Sequence, residues 1–186
     1  INFIPHVQRF RFELIDASMY YTENTGELES AYFKARPFGI VFESGDGIQF
    51  DAERVFERVD EPFEIIDDLV IERGKYWDNF YYMEAWTYEG RRFGGRFSTG
   101  WGKKFDLERQ YVYLDFFWNI SRYVNVSMDY TKNYVDREDK LFQIDEFGSN
   151  LEVSFNPKLY TTLYAQWNNQ METMILNFRL HWIPVV

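Results

Sequence analysis

From about residue 93 to the end of the chain, apolar and polar residues alternate with a period of two, segment after segment. Helical spacing is almost absent. A period of two marks extended strands with one apolar face. Phe93, Gly95, Phe97, Thr99 and Trp101 alternate with Gly94, Arg96, Ser98, Gly100 and Gly102. Val112, Leu114, Phe116, Trp118 and Ile120 then oppose Tyr111, Tyr113, Asp115, Phe117 and Asn119. Val124, Val126, Met128 and Tyr130 oppose Tyr123, Asn125, Ser127, Asp129 and Thr131. Phe147, Leu151, Val153 and Phe155 oppose Gly148, Asn150, Glu152 and Ser154. Leu159, Leu163, Ala165 and Trp167 oppose Tyr160, Thr162, Tyr164 and Gln166. Met174, Leu176, Phe178, Leu180 and Trp182 oppose Thr173, Asn177, Arg179 and His181.

Each segment runs about 9 to 13 residues, longer than the ~5–6 of an ordinary strand and matched to the ~9–11 that a tilted strand needs to cross a bilayer. The chain holds 14 Tyr, 19 Phe and 6 Trp, yet its mean hydropathy is −0.46. Half-polar, half-aromatic strands produce both numbers at once. An apolar face with aromatic ends and a polar face rich in Tyr, Ser, Asn and Gly is the two-sided pattern of a transmembrane barrel. The expected fold is therefore all-β: an antiparallel up-and-down transmembrane β-barrel of about ten strands, or part of a larger barrel. In lipid every backbone group must pair within the protein, so such a sheet has to close.

The first half is less regular. Arg9 to Tyr21 reads as a strand with Phe10, Phe12 and Leu14 on one face, and Glu27 to Phe42 as a strand bent at Pro37. Ile48 to Val59 carries Asp51, Glu53, Arg54, Glu57 and Arg58 and is expected to project beyond the membrane. Tyr76 to Tyr88 is aromatic on both faces. Tight turns are expected at Ser44–Gly47, Glu89–Arg92, Asn119–Arg122 and Asn156–Lys158. Long acidic loops are expected at Asp60–Lys75 and Tyr134–Leu141, with links of intermediate length at Lys103–Glu108 and Asn168–Glu172. Short turns on one side and long loops on the other is the barrel pattern. No domain boundary interrupts residues 1–186.

Charge and composition narrow the function. A net charge of −10 argues against nucleic acid as a partner. With no cysteine, disulfides and thiolate chemistry are excluded. No run of about 18 uncharged apolar residues forms a membrane-spanning helix. Ile1 to Arg11 lacks an initiator Met and a signal-peptide shape, which reads as a mature or excised piece of a longer protein.

Several phrases occur in a recognisable order: Leu28-Glu29-Ser30-Ala31, Phe56-Glu57-Arg58-Val59-Asp60-Glu61-Pro62-Phe63, Gly74-Lys75-Tyr76, Tyr164-Ala165-Gln166-Trp167-Asn168-Asn169-Gln170 and Leu176-Asn177-Phe178-Arg179-Leu180-His181-Trp182-Ile183. From about Leu28 onward the chain resembles the C-terminal outer-membrane barrel of a bacterial family of unknown function. Members of that family carry a family-9-like carbohydrate-binding domain ahead of the barrel. The resemblance implies a bacterial outer-membrane location, a link to glycan handling, and further strands beyond those present here. The carbohydrate-binding domain is missing from this chain, and the family's continuation past the Trp-Ile-Pro phrase is absent. The family has no established catalytic residues to carry over.

The lipid-facing set is expected to be Val112, Leu114, Phe116, Trp118, Val124, Val126, Met128, Leu151, Val153, Phe155, Leu163, Trp167, Leu176, Phe178, Leu180 and Trp182. Candidate lumen-facing residues are Asp115, Asp129, Glu152, Tyr160, Tyr164, Arg179 and His181. Among the histidines, His6 and His181, the second could serve a hydrolase as a base, but no nucleophile motif accompanies it and a lumen-lining role is the better reading. Asp46 and Asp51 lack calcium-loop spacing, and Asp136, Glu138 and Asp139 read as solvated loop charge. The six tryptophans, Trp77, Trp86, Trp101, Trp118, Trp167 and Trp182, are expected to form interfacial girdles rather than to stack on sugars. Tyr111, Tyr113, Tyr123, Tyr160 and Tyr164 are read as filling a polar interior. No catalytic residue, metal ligand or cofactor is expected. The expected partners are membrane lipid and lipopolysaccharide, with other outer-membrane or periplasmic proteins or missing barrel strands beside them. Two alternatives stay open: a soluble β-barrel or sandwich binding an apolar or carbohydrate ligand, and a barrel-type outer-membrane hydrolase.

Overall fold

The computed structural model describes residues 7–22, 26–66, 69–137, 140–170 and 173–183. His6, Glu138, Asp139 and the side chain of Leu14 lie outside the described residues. The strands are β1 (Val7–Tyr21), β2 (Leu28–Phe42), β3 (Gly47–Val59), β4 (Phe63–Ile66), β5 (Leu69–Ile71), β6 (Gly74–Trp86), β7 (Phe93–Lys104), β8 (Leu107–Ser121), β9 (Val124–Arg137), β10 (Lys140–Asn156), β11 (Leu159–Asn168) and β12 (Thr173–Trp182). Ten of them form one sheet in the order β1-β2-β3-β6-β7-β8-β9-β10-β11-β12, while β4 and β5 make a separate hairpin. Every neighbouring pair is antiparallel. No helix occurs among the described residues.

The expected up-and-down sheet is present, but it is open. Strands β1 and β12 each pair on one side only among the described residues, so the barrel is not closed. Alternation and turns are local signals that specify faces and hairpins. Closure depends on strand number and shear together, which no local pattern encodes.

The loops also depart from expectation. The segment 134–141 is not a long loop: β9 extends to Arg137 and β10 starts at Lys140, pairing Tyr134 with Gln143 and Arg137 with Lys140. The link at 103–108 shrinks to a two-residue turn at Phe105-Asp106. The acidic segment 60–75 contains the β4–β5 hairpin. Charged side chains on extended strand ends hide the period of two, which is why these ends read as loops. Pro37 does mark an irregularity, since the β2–β3 register shifts between Ala35 and Phe38.

Phe105 and Asp106 have φ of 55° and 61°. Two successive positive φ values define the turn whose twist suits a two-residue hairpin. Neither residue is glycine, so the backbone conformation costs energy. Asp78 of β6 offsets it: its carboxylate accepts hydrogen bonds from the amides of Phe105 (2.7 Å) and Asp106 (3.3 Å). Phe105 also packs edge-on against Phe63 and Tyr76, each at 5.5 Å.

Among the described residues, one cluster of buried apolar residues lies beside this turn. Val59, Leu69, Ile71 and Leu107 form it, with Tyr76, Phe105, Val135 and Phe142 packed around them. The β4–β5 hairpin therefore folds back over one end of the sheet instead of extending away from it. Asp78 is buried at 3% exposure. Asp78→Ala leaves two turn amides unpartnered and is expected to cost about 1–3 kcal/mol. Equilibrium urea unfolding measures this as a lowered midpoint at unchanged slope.

Candidate functional site

The candidate site is the pair of faces this sheet presents. In an antiparallel pair, directly opposed residues share a face, so rows can be traced from strand to strand. One row runs Phe10, Ile40, Ile48, Ala85, Phe97, Leu114, Tyr130, Phe147, Trp167, Met174. It crosses all ten strands without a charged residue. The adjacent row on the opposite face runs Arg11, Gly39, Gln49, Glu84, Ser98, Tyr113, Thr131, Glu146, Asn168, Thr173, and holds no aliphatic side chain.

All sixteen residues expected on the apolar side share the first face: Val112, Leu114, Phe116, Trp118, Val124, Val126, Met128, Leu151, Val153, Phe155, Leu163, Trp167, Leu176, Phe178, Leu180 and Trp182. The seven expected on the polar side, Asp115, Asp129, Glu152, Tyr160, Tyr164, Arg179 and His181, share the second. Among the described residues, no second layer covers the apolar face. Leu114, Phe116 and Trp118 are 47%, 44% and 43% exposed, and Phe178 is 67% exposed. Nine inter-strand gaps of ~4.8 Å and a height of ~14 Å from Leu114 to Trp118 give this face roughly 600 Å². The largest apolar patch on a typical soluble monomer is about 300–600 Å². Charges on this face, including Arg54, Lys132 and Asp145, stand toward the β7–β8 turn. There Arg54 lies 4.9 Å over the Trp77 ring and Lys132 is 3.7 Å from Asp145.

Five tryptophans, Trp77, Trp101, Trp118, Trp167 and Trp182, lie on the apolar face. Trp86 does not. It pairs with Gly47 and Arg96 on the polar face, and its ring occupies the space a side chain at position 47 would need. The segment Tyr76 to Tyr88 is aromatic on both sides because its two faces use rings differently. Tyr81 packs with Phe50 and Trp101 on the apolar face, whereas Tyr82 is hydrogen-bonded on the polar one.

The charged strand β3 does not project away from the sheet's body. Ile48, Phe50, Ala52 and Phe56 fall on the apolar face, and Asp51 and Glu53 point to the polar face, where β2 meets them. Arg36 Nε and Nη2 donate to the Asp51 carboxylate at 2.6 and 3.0 Å. Arg36 also reaches Glu13 at 3.1 Å. Glu53 accepts from the Tyr32 hydroxyl (2.7 Å), the Lys34 ammonium (2.8 Å) and the Tyr82 hydroxyl (2.6 Å). This network lines a depression of about 240 Å³ whose walls come from five successive strands, from Lys34 on β2 to Tyr111 on β8. The depression opens on the polar face. Phe80 of β6 stacks on Tyr111 of β8 across β7 at 6.3 Å and 4°. Gly100 permits this, since a Cβ there would run into both rings.

No single residue of this network announces it in the sequence. The signal was available: Lys34 and Arg36 on β2, Asp51 and Glu53 on β3, each pair two residues apart, are complementary charges at strand period. His181 stacks on Tyr160, rings 4.4 Å apart and 7° from parallel, and makes no hydrogen bond to an acid or hydroxyl among the described residues. Tyr123 sits in the β8–β9 turn, outside the strand rows. Asp46 and Asp51 are not brought together. Asp51 is held by Arg36, and Asp46 ties down the opposite end of the sheet by accepting from the Tyr88 amide (2.9 Å), the Ser44 hydroxyl (2.8 Å) and Arg91.

A scan against protein-family models and a search of the curated proteins find no match to this chain.

Burial pushes the Asp46 carboxyl upward, but the Tyr88 amide, the Ser44 hydroxyl and the Arg91 charge together hold it below its ordinary value of 3.8. A folded-state value below the unfolded one adds stability above pH 3.8, and that increment is lost as pH falls through the lowered value. Acid titration followed by intrinsic fluorescence is expected to show this loss in the native protein and not in Asp46→Asn. Removing the Glu53 carboxylate leaves two hydroxyls without this acceptor and the Lys34 ammonium with Asp51 alone, at 3.8 Å. Glu53→Ala is expected to lower stability by about 1–3 kcal/mol, read by urea unfolding, with Lys34→Met in the same background restoring part of it.

Proposed function

We propose that this chain is the wall of a bacterial outer-membrane β-barrel, serving as membrane anchor or pore wall. The uncovered apolar row from Phe10 to Met174 carries this reading. A sheet ten strands wide with one apolar side exposed to water would associate or aggregate. Acyl chains remove that cost. The ionic face, with Arg36–Asp51 and Lys34–Glu53 at its centre, then lines the water-filled side.

The lipid setting also demands something of the edges. Unpaired amides and carbonyls on β1 and β12 are not tolerated in hydrocarbon. The wall therefore closes, either by β1 meeting β12 or by further strands added between them. Lipid acyl chains and lipopolysaccharide are the immediate partners. The phrase-level resemblance to the family with a carbohydrate-binding domain ahead of its barrel adds a link to glycan handling. A soluble sandwich would need a second layer over Leu114, Phe116 and Trp118, and the chain's own extra hairpin packs on the other face. A hydrolase would need partners for His181 beyond the Tyr160 ring.

Spin labels placed one at a time from Val112 to Ile120 in lipid-reconstituted protein test this. Even-numbered positions are expected to be accessible to oxygen and odd-numbered ones to a water-soluble nickel chelate, alternating at every residue. Labels at 114, 116 and 118 that are shielded from both reagents would overturn the proposal.

A further inference from the structure

The β4–β5 hairpin brings a cluster of apolar residues onto the polar face. Where the β4–β5 hairpin folds over the sheet, a cavity of about 480 Å³ opens between hairpin and strands. Ile65 and Leu69 of the hairpin, Phe105 of the turn, Leu107 of β8, Val135 of β9 and Ile144 of β10 line it, and Lys104 and Arg109 stand at its edge. The size and lining, mostly apolar with a few convergent polar groups, are those of a small-molecule site.

The two cations differ in what they already hold. Lys104 is paired with Glu57 at 2.8 Å. Arg109 has no carboxylate partner among the described residues; its guanidinium only lies 5.7 Å over the Phe80 ring. Elsewhere on this face Arg36 is paired to Asp51 and Lys34 to Glu53. A guanidinium with no carboxylate among the described residues, set beside an apolar cavity, is complementary to an anionic head on an apolar tail. A planar carboxylate suits it best, because the guanidinium fork can donate two parallel hydrogen bonds.

We propose that this cavity is a binding site for a fatty carboxylate, with the chain among Leu69, Leu107, Val135 and Ile144 and the carboxylate on Arg109. The site goes beyond the membrane reading and lies on the face opposite the lipid-directed row. The β4–β5 hairpin forms its outer wall, so ligand entry requires the hairpin to yield at the Phe63–Phe105 contact.

Isothermal titration of the full chain held in amphipol, with decanoate, decyl phosphate, decanol and decylamine as separate probes, tests it. Decanoate is expected to bind at least tenfold more tightly than decylamine, and more tightly than decyl phosphate. Arg109→Gln is expected to weaken decanoate at least tenfold while leaving decanol unchanged. Ile144→Trp, which fills the cavity, is expected to abolish both. Equal affinity for decanoate and decylamine, tighter binding of decyl phosphate, an unaffected Arg109→Gln protein, or binding that survives Ile144→Trp would each overturn the assignment. A spin label at position 114 in the same variants reports the opposite face. Lost decanoate binding with lipid contact retained there condemns the pocket and spares the membrane reading.

Discussion

Everything in this molecule depends on antiparallel register kept in phase across nine strand interfaces. Side chains alternate at a strict period of two, so a slip of one residue at any interface would turn every apolar residue beyond it to the wrong face. The pairings that keep Leu114 level with Phe97 and Tyr130 are therefore the most consequential contacts in the sheet. Irregularities are concentrated in the first hairpins. The β1–β2 ladder alone shifts four times, yet Phe10 still meets Ile40 and Ile40 meets Ile48, so the faces survive.

The two faces solve different physical problems. The apolar one is held together by almost nothing but backbone hydrogen bonds and side-by-side rings; its stabilisation has to come from whatever covers it. The polar one supplies its own. Arg36, Asp51, Lys34 and Glu53 form a ladder across β2 and β3 in which each charge has an opposite neighbour. The tyrosines Tyr32 and Tyr82 complete the coordination of Glu53. Such a ladder also specifies register, because a shifted β2 would bring Lys34 level with the wrong residue of β3.

How much of this was readable in advance follows from how local each feature is. The strands from Phe93 onward are legible because Val112 to Trp118 and Leu176 to Trp182 alternate without interruption. Strand β3 was harder, since Asp51, Glu53 and Arg54 obscure Phe50, Ala52 and Phe56, and its charges make sense only beside β2. The strand extensions at Tyr134 and Leu141 were hidden for the same reason. Trp86 could not be told from Trp77 by composition, because its side is decided by pairing with Gly47. Closure and the arrival of the β4–β5 hairpin over Leu107 are long-range outcomes with no local signature.

The strand order also says something about growth. Apart from the β4–β5 hairpin inserted between β3 and β6, each strand's partners are its immediate successors in the chain. Each hairpin carries the same greasy and wet sides, so adding or deleting one at a turn such as Asn156–Leu159 alters the width of the sheet and leaves its two surfaces in kind unchanged. An architecture of this sort can be resized by duplication of hairpins, with breadth as the variable and surface chemistry as the constant.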